Sequence, residues 1–241
     1  WNMQQLFHTM VDRNYHIKTI AYAESHDQAL VGDKTIAFRL MDQEMYFHMK
    51  KEDANIIVDR GINLHNVMRM MTISLGGEAY LTFMGNEFGH PEWIDFPREG
   101  NDWSYQYARR QWSLLENDSL KYQYLSAFDK AMISFTKDNK ILESAAAQEL
   151  WLDENNNVIA FERNNLVFVF NLHPTNSPFD YQIQTPKVGS YEMIFNSDAS
   201  YFGGFDRIQG NPPFLARFED GMPKMKIYSP NRSVQVYKRL V

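Results

Sequence analysis

Residues 17–28 read IKTIAYAESHDQ, and residues 79–91 read AYLTFMGNEFGHP. Each stretch starts with a short apolar run and ends in a polar string, a pattern typical of a buried strand that opens into a loop. Between them, apolar residues recur with helical spacing from Ile62 to Leu75. The order strand, loop, helix, strand, loop predicts a βαβ unit, in which both strands are parallel members of one sheet.

The helical segments around this unit have recognisable ends. Asp59 is the predicted N-cap of the helix between the two strands, because a carboxylate there accepts the free N–H groups of the first turn. Two further helices are predicted over residues 105–115 and 120–135, the second with Ser119 as its cap. The α/β region is therefore expected to extend from residue 1 to residue 142.

The remaining chain, residues 143–241, has a different texture. Short alternating or apolar runs are separated by turn signals such as Asn164-Asn165 and Gly203-Gly204. Several short strands at this spacing predict an antiparallel β-sandwich. The expected fold class is α/β plus all-β, with one domain over residues 1–142 and a second over residues 143–241.

Composition excludes several classes of protein. The formal net charge of −6 argues against a nucleic-acid partner, and 0 cysteines exclude a disulfide framework and a Cys-ligated zinc. No apolar run approaches the roughly 18 residues of a membrane span, and no secretory signal is visible. We therefore expect a cytoplasmic protein with no membrane partner. Trp1 indicates that the sequence begins inside something longer.

The loop after the first strand holds the adjacent pair His26 and Asp27. In parallel α/β sheets, functional residues are concentrated at the ends of the strands, because the loops that follow converge there. A carboxylate in that place can take part in acid/base chemistry, bind a metal or hold sugar hydroxyls. The alternative is that both residues merely cap the next segment, and local sequence leaves the two interpretations equally open.

The loop after the second strand combines polar and aromatic side chains, among them Asn86, Glu87 and Trp93. Aromatic faces stack on the apolar faces of sugar rings, and amide or carboxylate groups bind the hydroxyls. Four more aromatic residues follow closely: Phe96, Trp103, Tyr105 and Tyr107. For any single one of them, ordinary packing in the core is the favoured interpretation.

Competing motifs fail on their context. Residues 32–35 read GDKT, but a phosphate-binding P-loop needs a glycine at position 27, which is Asp. A metal-dependent phosphohydrolase with a His-Asp pair is helical, whereas His26 and Asp27 follow a strand. Glu87 and His90 have no third ligand at useful spacing, so no metal site is predicted. A serine hydrolase would need G-x-S-x-G, which is absent.

Two long strings carry a specific resemblance to a known family. Residues 21–34, AYAESHDQALVGDK, and residues 84–97, MGNEFGHPEWIDFP, resemble the seventh-strand motif and the segment after the eighth strand of eukaryotic glycogen and starch branching enzymes. The shorter strings VDRGI at 58–62 and YARRQ at 107–111 fit as well. This family lies in the α-amylase superfamily. The resemblance implies the C-terminal part of a (β/α)8 TIM barrel, followed by the all-β domain.

The resemblance also implies an activity and site residues. The family cleaves an α-1,4-glucan with retention and re-attaches the piece as an α-1,6 branch, without a cofactor. Asp27 then stabilises the transition state at the cleavage subsite, and His26 is its sugar-binding neighbour. Substrate-binding residues are expected at Gln28, Asn86, Glu87 and Trp93. The implied partner is an α-glucan polysaccharide such as glycogen, amylose or amylopectin.

One departure from the family pattern limits this assignment. The family's nucleophile and acid/base carboxylates follow the fourth and fifth barrel strands, upstream of residue 1, and a full barrel takes roughly 250 residues. We expect the 241 residues alone to be inactive and to need the missing N-terminal part of the same enzyme as a partner. The alternatives are a non-catalytic α-glucan-binding module and an α-amylase-type hydrolase.

Overall fold

The computed structural model describes residues 2–14, 16–27, 34–92 and 94–240. Two predicted site residues, Gln28 and Trp93, lie outside the described residues. The helices are α1 Met3–Val11, α2 Ile36–Met41, α3 Glu44–Phe47, α4 Ile56–Leu75, α5 Trp112–Glu116 and α6 Tyr122–Asp138. The strands are β1 Ile20–Ala21, β2 Ala79–Tyr80, β3 Gln148–Asp153, β4 Val158–Arg163, β5 Leu166–Asn171, β6 Tyr181–Gln184, β7 Gly189–Asn196, β8 Phe214–Glu219, β9 Met222–Ile227 and β10 Ser233–Arg239.

The predicted βαβ unit is present. β1 and β2 pair in parallel, with Ile20 opposite Ala79 and Ala21 opposite Tyr80, and α4 connects the two parts of the chain that carry them. Both strands are shorter than the apolar runs that predicted them. Within the described ranges, each of these strands pairs only with the other. Their hydrogen bonding ends where the two strands diverge into their loops.

The helix α4 begins earlier than its apolar spacing indicated. Its N-cap is Asn55, whose Oδ1 accepts the N–H groups of Ile57 at 2.9 Å and Val58 at 3.1 Å. The prediction of Asp59 as the cap is wrong, because that carboxylate lies inside the helix and accepts the Lys121 ammonium at 2.8 Å. In the part of the chain that the structure describes, no helix is both long and apolar enough to cross a membrane.

Of the other two predicted helices, one is much shorter than expected and the other is present over nearly the expected range. The helix expected over residues 105–115 is reduced to the five residues of α5. The helix expected over residues 120–135 is α6. Of the apolar face that the helical spacing predicts, Leu125, Phe128, Met132 and Phe135 are buried and Tyr124 is partly exposed. Ser119 does not cap α6, because its hydroxyl donates to Asn117 Oδ1 at 2.7 Å instead.

The C-terminal region is all-β and antiparallel, as predicted. Its strands form an 8-stranded sheet in the order β3-β4-β5-β10-β7-β8-β9-β6. The sheet curls until its outermost strands meet, where Trp151 of β3 donates its indole N–H to Tyr181 of β6 at 3.1 Å. The two halves of the sheet therefore face each other across one apolar interior, which includes Val169, Ile183 and Met225.

A larger core joins the sheet to the helices. α1, α4 and α6 pack on the outer face of β4, β5 and β10, and aromatic rings fill the junction. The ring of Phe128 on α6 meets the rings of Phe195 and Phe202 edge-on, with centroids 5.7 and 5.2 Å apart. Since both regions contribute to this core, they pack as one body. The boundary between residues 142 and 143 stays a prediction.

Candidate active site

His26 and Asp27 lie just past the carboxyl end of β1 and face solvent. Their side chains are 58% and 70% exposed, and His26 Nε2 lies 3.1 Å from Asp27 Oδ1. The Asp27 N–H donates to Ser25 Oγ at 3.2 Å, which holds the turn that presents the pair. An exposed carboxylate can accept hydrogen bonds from a polar ligand, and the neighbouring imidazole can donate one to the same ligand. The expected placement at a strand end is confirmed, and the catalytic role stays a prediction.

The loop after β2 lies beside this pair. The rings of His26 and Phe83 are neighbours, with centroids 6.2 Å apart. Asn86 opens a single 3-10 turn and is buried, whereas Glu87 is partly exposed and accepts the Gly85 N–H at 2.7 Å. The topology thus brings the two predicted loops together. The roles of Asn86 and Glu87 in substrate binding stay predictions.

A buried arginine holds the β2 loop in its shape. Arg110 donates from Nε to Met84 O at 2.7 Å and from Nη1 to Glu92 O at 2.6 Å, so one side chain ties both ends of the turn. Its guanidinium also lies over the Phe83 ring, 5.4 Å from the centroid. Gly85 adopts φ +95°, and a Cβ there would lie 2.6 Å from Arg110 Nε. Glycine is therefore required where the arginine crosses the loop.

A second buried arginine reaches the same loop from α4. Arg69 donates to Tyr80 Oη at 3.2 Å and to the carbonyl oxygen of Asn86 at 3.3 Å, and it forms an ion pair with Asp129 of α6. It is 3% exposed, so the pair is largely shielded from water. Arg69 thereby connects the end of β2, the Asn86 turn and the helix α6.

Glu24 holds the β1 loop in its shape. Its Oε2 accepts the N–H of Ile36 at 2.6 Å, which ties the loop to the first turn of α2. Burial raises the pKa of Glu24, although the charges of Arg69 and Arg110 oppose that shift. Glu24 and Asn86 line a cavity of only about 10 Å³, which is too small for a sugar. Any ligand larger than a water molecule would therefore contact the exposed side chains above this layer.

The titratable ring of His90 lies near the β2 loop but belongs to no metal site that the described residues form. Burial, with the charge of Arg110, lowers the pKa of His90 to about 4, so its ring is neutral at pH 7. His90 Nδ1 accepts the Glu92 N–H at 3.1 Å. Within the described ranges, no three His, Asp or Glu side chains are arranged to hold a metal ion.

The aromatic side chains after the β2 loop are exposed rather than packed in the core. The exposed fraction is 65% for Trp103, 76% for Tyr105 and 51% for Tyr107, and Phe96 is exposed as well. The sequence-based preference for core packing of each ring is therefore wrong. These rings lie on a segment of turns and short 3-10 structure.

The supporting residues were missed by the sequence analysis. Glu24, Arg69, Arg110 and Asp129 do not stand out as a motif, because their partners are far apart in the chain. A usable signal exists for Arg69: it is a single charge inside the apolar run Val67 to Met71. A lone charge in a buried helix needs a partner, so a buried ion pair could have been anticipated there.

Comparison with known proteins connects this geometry to a family. Residues 151–239 match the family described as alpha amylase, C-terminal all-beta domain. The chain is 54% identical over 210 residues to the 1,4-alpha-glucan-branching enzyme of Debaryomyces hansenii, covering 87% of this chain and 30% of that protein. It is 47% identical over 236 residues to that of Saccharomyces cerevisiae, covering 96% of this chain and 34% of that protein.

A plant relative extends the comparison. The chloroplastic/amyloplastic 1,4-alpha-glucan-branching enzyme of Oryza sativa subsp. japonica is 45% identical over 253 residues, covering 100% of this chain and 31% of that protein. The all-β domain together with the parallel unit defines a protein of the α-amylase superfamily. Within that class, the chain belongs to the 1,4-alpha-glucan-branching enzymes and corresponds to their C-terminal part. It spans about a third of the length of the curated relatives it matches.

Proposed function

We propose that this chain is the C-terminal part of a glycosyltransferase that cleaves an α-1,4-glucan and re-attaches the piece as an α-1,6 branch. One observation carries the proposal: the exposed His26 and Asp27 pair stands at the carboxyl end of β1, in a chain 54% identical to a branching enzyme. The substrate class follows from the names of the relatives. Glycogen or starch synthesis and a cytoplasmic location are parts of the same proposal.

The proposed chemistry has two steps with retention. A carboxylate attacks the anomeric carbon while a carboxylic acid protonates the leaving oxygen, and the glucan is held as a covalent glycosyl-enzyme. A 6-hydroxyl then attacks the same carbon, and the acid residue, now a base, takes its proton. Asp27 binds the sugar at the cleavage subsite and stabilises the positive charge that develops on the ring. The nucleophile and the acid precede β1 in the protein.

The proposed partner is the N-terminal part of the same barrel. Among the described residues, β1 and β2 form a two-stranded sheet, and Ile20 of β1 and Leu81 just after β2 are 61% and 40% exposed. Further parallel strands would cover these side chains and complete the ladder. The 241 residues by themselves are therefore expected to show no branching.

The test is Asp27→Asn in the full-length protein, with Asp118→Asn as the matched control, because Asp118 is an exposed aspartate away from both loops. Amylose stained with iodine is followed together with the count of reducing ends. The wild type should lower the colour without new reducing ends. Asp27→Asn should lose at least about a thousandfold in turnover, because charge stabilisation at the transition state is removed. Polysaccharide binding should persist, and Asp118→Asn should behave as the wild type.

The outcomes separate the alternatives. New reducing ends in the wild type would replace the proposal with an α-amylase-type hydrolase. An unchanged colour with intact binding would replace it with a non-catalytic glucan-binding module. A near-normal rate in Asp27→Asn would refute the role of that carboxylate.

A further inference from the structure

A second cleft lies mainly on the all-β region, and none of the residues that line it belongs to the candidate active site. It is enclosed by the end of α6, the turn between β4 and β5, the loop between β6 and β7, and the end of β10. Its volume is about 400 Å³, which is in the range of small-molecule sites. The lining includes the cations Lys140, Lys187, Lys238 and Arg239, on a chain with a net charge of −6.

The loop that carries Lys187 is held in place by buried groups. The carbonyl oxygen of Lys187 accepts the hydroxyl of Tyr191 at 2.8 Å and the hydroxyl of Thr185 at 3.1 Å. Arg239 donates from Nε to Val188 O at 2.9 Å, which orients its guanidinium along the loop. Because Tyr191 is only 2% exposed, the backbone under Lys187 is fixed by the core of the sheet.

The cations of the cleft are not neutralised by nearby carboxylates. Two acids also line it, but Glu162 accepts the Asn165 N–H at 2.6 Å and Asp138 accepts the Ser134 hydroxyl at 3.2 Å. Neither acid lies within ion-pair distance of a lysine or arginine of the cleft, as far as the described residues go. Four cations and two acids leave the cleft with an excess of positive charge.

We propose that this cleft binds a phosphate ester of a sugar, either a free sugar phosphate or a phosphate group carried by a glucan. The lysines and the guanidinium supply the charge and the N–H donors that a phosphate dianion requires. Asn165 also lines the cleft, and its side-chain amide, which has no hydrogen-bond partner in the part of the chain described, can serve a sugar hydroxyl. This site goes beyond the proposed branching activity and does not depend on it.

The experiment is titration calorimetry on the full-length protein. Glucose 6-phosphate and phosphate-bearing amylopectin are the two probes, each measured beside its dephosphorylated counterpart. The variant is Lys187→Glu, and Lys238→Gln is a milder second variant. Lys226→Glu is the matched control, because Lys226 is exposed on β9 of the same sheet but does not line the cleft. Thermal melting checks that each variant is folded.

The expected result is phosphate-dependent binding of one or both probes, weakened about tenfold or more by Lys187→Glu and less by Lys238→Gln. Phosphate-dependent binding of glucose 6-phosphate alone identifies the free ester as the ligand. A phosphate-dependent gain in amylopectin binding alone, lost in Lys187→Glu, identifies the glucan-borne ester, because the active site binds amylopectin with or without phosphate. Absence of phosphate-dependent binding with both probes would overturn the proposal. So would equal binding of the dephosphorylated counterparts, or a loss in Lys226→Glu as large as that in Lys187→Glu.

Discussion

At the scale of single residues, the molecule places polar groups in two layers at the strand ends. The outer layer is His26 and Asp27, which face solvent, and the inner layer is Glu24, Arg69 and Arg110, which are nearly fully buried. Each inner group is tied to the backbone of a loop. The inner layer therefore positions the outer one, and the charge of Arg69 is compensated by its ion pair with Asp129.

His65 makes the same inner layer sensitive to acid. It is 1% exposed, and burial, assisted by the charge of Arg69, lowers its pKa from 6.5 to about 3. The unfolded chain therefore binds a proton that the folded chain does not. The stability contributed by the neutral ring is present above about pH 6.5 and is lost as the pH falls toward 3.

We predict that in His65→Gln the free energy of unfolding falls less as the pH drops below about 6.5, because Gln does not titrate. Denaturant unfolding of the full-length protein between pH 4 and pH 7.5 measures the effect as the difference between wild type and variant at each pH. His16→Gln, at an exposed position, should keep the acid sensitivity of the wild type. Parallel pH curves for the wild type and His65→Gln would contradict the prediction.

At the scale of elements, contacts between helices outweigh the helix propensity of single residues. Gly61 lies inside α4, where glycine costs about 1 kcal/mol relative to alanine. A Cβ at this position would lie 2.2 Å from Met41 Cγ, at the end of α2. The close approach of α2 and α4 is possible because Gly61 has no side chain. α2 in turn begins at Ile36, whose N–H donates to Glu24.

Gly61→Ala is therefore expected to destabilise the protein, although it improves helix propensity. Overpacking costs about 1–3 kcal/mol, which exceeds the gain of about 1 kcal/mol. Denaturant unfolding gives the change in free energy. Arg60→Ala, one position away on the same helix, should stay within about 0.5 kcal/mol of the wild type. A stabilised Gly61→Ala variant would show that Met41 moves aside at no cost.

At the scale of the whole molecule, the α/β region and the all-β region depend on each other. Arg163 of β4 is 1% exposed and donates to Ser74 O at 2.7 Å and Gly77 O at 3.0 Å, at the end of α4. In the other direction, Glu154 of the β3–β4 turn accepts the first N–H groups of α1, including that of Met3 at 2.9 Å. With their shared apolar core, the two regions form one folding unit.

We predict one cooperative calorimetric transition for both regions and a marked loss of stability in Arg163→Met. Removal of the guanidinium leaves two buried carbonyl oxygens without donors, at a cost on the order of 3 kcal/mol. Arg217→Met, at an exposed position of β8, is the control and should change little. Two separate transitions, one for each region, would refute the coupling.

The sequence by itself determined the features that depend on near neighbours. Alternating apolar runs and polar strings identified the parallel unit, the antiparallel C-terminal region and the position of His26 and Asp27 at a strand end. The long strings 21–34 and 84–97 identified the family. These signals are local, because strand and helix periods and motif spacing are read within about 20 residues.

Only the tertiary structure decided which groups meet across the chain. The partners of Arg69 and Arg163 lie 60 and 89 residues away, at Asp129 and Ser74, and no local pattern encodes such distances. The structure also moved the cap of α4 to Asn55 and left the rings of Trp103 and Tyr105 exposed. Burial and charge pairing are properties of the packed molecule, since they depend on what every other element leaves accessible to water.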